Sequence, residues 1–90
     1  MKQFIAGSDK HLKYLAEGIL DPDGYMDGWG QEYFEVRDIV QHALRNFIQC
    51  GSLQEGDLKE LRMLEDSLGC SWIVERVRAE GENLLDLLGD

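Results

Sequence analysis

The stretch that decides the fold is Glu32-Tyr33-Phe34-Glu35-Val36-Arg37-Asp38-Ile39-Val40-Gln41-His42-Ala43-Leu44-Arg45-Asn46-Phe47-Ile48-Gln49-Cys50, followed by Gly51. Tyr33, Val36, Val40, Ala43, Leu44 and Phe47 recur at spacings of three and four, which puts them on one face of a helix of about 3.6 residues per turn. Phe34, Ile39 and Ile48 flank that face, so the apolar stripe is wide. Glu32, Glu35 and Asp38 load the N-terminal half, Arg45 sits near the end and Gly51 follows as a stop, all in the sense the helix dipole favours. The spacing predicts a helix over about residues 32–50.

Outward from this segment the same period recurs. Upstream, Ser8 and Asp9 can cap a helix whose Leu12, Leu15, Ala16, Ile19 and Leu20 form one stripe, and Pro22 stops it, because proline disfavours helical geometry at the residue before it. Met1 to Gly7 either extends that helix backward or forms a short arm. Downstream, Ser52 with Glu55 matches a capping box ahead of Leu58, Leu61, Leu64 and Leu68, with Asp57 and Glu60 as a second possible start; Gly69 ends the run. Ser71 can cap a last helix carrying Val74, Val77, Gly81, Leu84, Leu85 and Leu88 on one face. Gly81 inside it costs about 1 kcal/mol against alanine, so it either permits a close helix contact or marks a break. Trp72, at its start, reads as core. The links at Gly51 to Ser52 and Gly69 to Ser71 are short and force antiparallel neighbours. The expected fold is therefore all-α, a small up-and-down bundle of about four helices with one long acidic loop at residues 21–31.

Ninety residues allow one domain, residues 1–90, since two halves could not each bury enough surface. An apolar share of 43% supports a core, and no apolar run reaches the roughly 18 to 20 residues of a membrane span. Met1 to Gly7 lacks the apolar stretch of a signal peptide, so a cytoplasmic location is expected. Eighteen acids against nine Lys and Arg give a net charge of −9, which disfavours direct contact with nucleic acid or anionic membrane and favours a basic partner protein. The charge is uneven. Between residues 17 and 38 seven acids face Arg37 alone. Carboxylates held on helices at regular spacing can imitate a phosphate backbone and occupy a basic groove; duplex DNA carries a charge about every 1.7 Å, so −9 would imitate roughly 15 Å of it.

The loop Asp21-Pro22-Asp23-Gly24-Tyr25-Met26-Asp27-Gly28-Trp29-Gly30 contains two Asp-Gly turn signals. Counting Asp21 as position 1 puts Asp23 at position 3 and Glu32 at position 12 of a frame similar to an EF-hand loop. Tyr25 then stands where an oxygen ligand is wanted and Met26 where glycine makes the turn, so any calcium site would be degenerate. Tyr25 and Trp29 are residue types that anchor interfaces and sit among glycines that cannot bury them locally; Trp29 either docks on a partner or folds back as a lid.

Cys50 and Cys70 bracket a helix of about 16 residues, hence roughly 24 Å of rise, beyond the roughly 7 Å reach of a disulfide. Both are read as free thiols packing as small apolar side chains near helix ends. His11 and His42 share no spacing with them that suggests zinc or a nucleophile–base pair, and no cofactor or metal is expected.

Phosphate loops, nucleophile elbows and His-Glu-x-x-His are absent from the sequence, so it is not read as an enzyme. The expected function is protein binding, with Asp23, Tyr25, Asp27, Trp29, Glu32, Glu35 and Asp38 as the contact residues. In size and charge alone the chain resembles small acidic helical inhibitors, among them phage-encoded anti-CRISPR proteins, nuclease immunity proteins and antitoxins. Two alternatives stand beside this: a homodimer in which a second copy completes the wide stripe of residues 32–50, and the degenerate calcium module.

Overall fold

In the computed structural model the described residues are 5–20 and 31–89, with the backbone alone for 31–33. They form α1 (Asp9–Leu20), α2 (Gln31–Cys50), α3 (Glu55–Leu68) and α4 (Ile73–Gly89), a four-helix bundle. The acidic loop expected at 21–31 lies outside these residues except for Gln31, which opens α2.

The starts of α1, α3 and α4 can be compared with expectation, and two of them differ. Ser8 caps α1 as read from the sequence: its Oγ accepts from the His11 N–H at 3.3 Å and its carbonyl from the Leu12 N–H at 2.9 Å. Residues 5–7 turn before that cap, with the Ser8 N–H on the Ile5 carbonyl at 2.9 Å, and do not prolong the helix. The capping box at Ser52 does not form. Gln54 takes the cap position of α3 in extended geometry with no side-chain cap bond, and its amide instead donates to the Ser52 carbonyl at 3.0 Å. Nor is Ser71 the cap of α4. The Trp72 carbonyl accepts the first helical bond, from the Arg76 N–H at 3.0 Å, and the Glu65 carboxylate reaches across from α3 to accept the Val74 N–H at 3.0 Å. That carboxylate satisfies one of the N-terminal amides a helix cannot bond internally, and its charge suits the positive end of the dipole. Gly69 ends α3 at φ 71°, a left-handed conformation that glycine adopts without a Cβ penalty.

α2 is the centre. It packs on all three other helices and more extensively than α4, which also touches all three, whereas α1 and α3 share no contact. Asp9 meets Gln41 and Arg45 while Glu17 meets Arg37, so α1 and α2 run antiparallel. Val36, Val40, Ala43, Leu44 and Phe47 are buried and Ile39 and Ile48 are partly so. Three helical neighbours thus cover much of the α2 stripe, while Phe34 at its edge stays exposed. Leu12, Ala16, Ile19, Leu20, Leu61, Ile73, Val74, Val77 and Leu84 complete a single core cluster.

Gly81 settles its own ambiguity. A Cβ placed there would lie 2.6 Å from the Phe47 ring, so the missing side chain lets α4 close on α2 across the bundle. The fold measures 37 × 34 × 18 Å, with α1 and α3 to either side of the α2–α4 contact. Trp72 joins the core edge as expected, and its indole N–H donates to the Ile19 carbonyl at 3.0 Å, one of the last carbonyls of α1 that the helix leaves open.

Candidate acidic interface

The residues proposed from sequence divide into three groups. Asp23, Tyr25, Asp27 and Trp29 lie outside the described residues, and with them the EF-hand-like frame. Glu32 belongs to the first turn of α2, its side chain undescribed. Glu35 and Asp38 are brought together: both are exposed, less than one turn apart on α2, whose opposite face is core.

The cations of the same helix point elsewhere. Arg37 donates from Nη1 to the Glu17 carboxylate at 3.1 Å, and Arg45 pairs with Asp9. Gln41 adds a bond to the Asp9 carbonyl at 3.3 Å. Helical spacing explains the division. Arg37, Gln41 and Arg45 are four apart and form the row that meets α1. Asp38, Gln41, His42 and Arg45 line a shallow depression of about 330 Å³ at the boundary between that row and the outer face.

Two groups here were missed from sequence. Phe34, expected beside the core stripe, is 52% exposed, and the Arg37 guanidinium carbon lies 4.9 Å from its ring centre. Asn46 donates to Asp57 at 2.9 Å and lies 3.1 Å from the His42 ring nitrogen, pinning the start of α3 to α2. Asp57 is only 9% exposed although charged, and it sits in the first turn of α3, where the dipole favours an anion. Asp57 lies four and seven residues before Leu61 and Leu64, so helical spacing does place it on the inward face, a signal that its charge obscured.

Cys50 and Cys70 are both free. Cys50 is exposed and so does not pack as a small buried side chain; it lies in the last turn of α2, beyond the core stripe. Burial, with a smaller contribution from Glu65, pushes the Cys70 thiol up from its ordinary value, which disfavours the nucleophilic thiolate. Among the described residues no three His, Cys, Asp or Glu side chains gather to hold a metal ion, and no helix is long and apolar enough to cross a membrane. No family model, curated protein or solved structure matches the chain.

Proposed function

We propose that this chain is a non-catalytic protein-binding module, an inhibitor that docks on a basic, nucleic-acid-binding partner through the carboxylates of α2 in the manner of a DNA mimic. The supporting observation is the division of charge on α2: Arg37 and Arg45 are engaged by α1 while Glu35 and Asp38 remain exposed. Carboxylates on a helix packed into the core lose little freedom on binding, and a protein of net charge −9 attracts a cationic surface over about a Debye length, roughly 8 Å at physiological salt. Asp23, Asp27 and Glu32 extend the acidic set, and Tyr25 and Trp29 supply apolar anchors that slow dissociation. On this reading the protein works in the cytoplasm, as phage-encoded anti-defence inhibitors and immunity proteins of similar size and charge do.

The test is partner capture followed by kinetics. With the captured partner, the Glu35→Gln/Asp38→Asn double variant is expected to lower the association rate about tenfold at low salt and flatten its salt dependence, whereas Trp29→Ala raises the dissociation rate. An affinity unchanged by the double variant and constant between about 50 and 500 mM salt rejects the reading.

A further inference from the structure

We propose that the groove between α2 and α3 receives a cationic amphipathic helix of the partner. This rests on the reading that the partner is basic, and adds which element of it docks and where.

Ile39 of α2 and Met63 and Leu64 of α3 line a cavity of about 480 Å³, with Glu60 and Ser67 completing it. Ile39 and Leu64 are only half-buried and Met63 is 64% exposed, so three apolar side chains of one cavity reach solvent side by side. Apolar surface thus remains uncovered along this seam after the bundle has closed.

The one charged residue lining the groove is acidic. Glu60 stands in its wall, and Glu35, exposed one turn before Ile39 on the same side of α2, extends the acidic edge toward the helix start. Lys59 and Arg62 of α3 do not line it but belong to a neighbouring depression with Glu55, Gly56 and Leu58, so the acidic edge is the one that Glu60 and Glu35 form. An apolar floor edged by carboxylates complements a helix whose apolar stripe is flanked by Lys or Arg. An extended strand is a poor occupant, because the helices beside the groove satisfy their own backbone and offer no open ladder of N–H and C=O groups. Methionine, unbranched and polarizable, adapts to side chains of varied shape.

The probe is a synthetic helical peptide of leucine and lysine, with leucines at i, i+3, i+4 and i+7, compared with a composition-matched peptide lacking the stripe. Fluorescence polarisation is expected to show the striped peptide binding about tenfold more tightly or better. Amide shifts should concentrate in residues 35–39 and 60–67. Met63→Glu, at an exposed position where circular dichroism should stay helical, is expected to weaken binding about tenfold, and Glu35→Gln/Glu60→Gln to weaken it and flatten its salt dependence. Equal, salt-sensitive binding of both peptides overturns the groove while leaving a basic partner in place. Binding by neither peptide, shifts confined to other surfaces, or indifference to Met63→Glu overturns it as well. So does self-association in sedimentation that Met63→Glu abolishes, since the occupant would then be a second copy.

Discussion

α1 and α3 flank α2 on opposite sides and look alike in sequence, helices of 12 and 14 residues each with a leucine-rich stripe, yet they are buried to different depths. Leu12, Ala16, Ile19 and Leu20 of α1 are each exposed by 1% or less. In α3 only Leu61 reaches that level; Leu58, Leu64 and Leu68 stay partly accessible. Closures bracket α1 along its whole length, with Asp9 held by Gln41 and Arg45, Glu17 by Arg37 and the Ile19 carbonyl by Trp72. Those of α3 sit at its ends, Asp57 with Asn46 and Glu65 with the Val74 N–H, and its middle opens on the groove. An amphipathic stripe states which side of a helix turns inward; it does not state how far the neighbours reach over it.

The sharpest way to break this comparison is a pair of leucine truncations. Leu12→Ala removes a side chain from a closed site and is expected to cost about 3 kcal/mol or more, because the cavity cannot collapse; Leu64→Ala, at a partly accessible site that solvent can fill, is expected to cost about 1–2 kcal/mol. Urea denaturation of both variants measures the difference, and equal costs would mean that the two flanks are equally closed. In the same experiment class, hydrogen exchange should release the amides of α3 before those of α1.

Gly81→Ala addresses the axle that both flanks share. Alanine gains about 1 kcal/mol of helix propensity, but its Cβ meets the Phe47 ring at 2.6 Å, and overpacking a buried site costs about 1–3 kcal/mol. Net destabilisation of about 1 kcal/mol is expected, recovered by combining it with Phe47→Leu. Stabilisation by Gly81→Ala alone would disprove the close approach of α2 and α4.

The smallest effect lies at the end of α3. The folded state keeps the Cys70 proton above the ordinary thiol value of 9.0, so above that pH the unfolded chain binds fewer protons than the folded one and stability falls as pH rises. Below pH 9 the contribution is fully present. Cys70→Ser should therefore lose slightly less melting temperature than the parent between about pH 8 and 10. A disulfide reagent should modify the exposed Cys50 first. Equal rates at the two thiols would show that Cys70 is not shielded.

Much of the bundle was legible because its signals are local. The stripe of residues 32–50, the Ser8 cap and the stops at Gly51 and Gly69 each depend on neighbours within about one turn. The caps at Ser52 and Ser71 failed for the opposite reason: a nearby serine competes with whatever the tertiary fold brings closer, and at α4 the Glu65 carboxylate arrives from another helix. Of the acidic set, Glu35 and Asp38 are exposed, as their place off the apolar stripe implies. Phe34 was not read as surface, because it borders the apolar stripe of α2 and spacing alone does not say where the neighbours stop.

By itself the sequence determined that the chain forms helices, where most of them end, which faces turn inward and that the surface is acidic, because periodicity, capping chemistry and charge are properties of residues close together in the chain. Only the tertiary structure decided that α2 is the centre, that Gly81 is a point of contact, that Trp72 closes α1 from 53 positions away and that the two arginines of α2 are engaged by α1 while its outer carboxylates are not. These depend on which distant side chains meet, and several pairings of amphipathic helices bury similar apolar area. Packing volume and hydrogen-bond geometry, neither visible in residue spacing, choose among them.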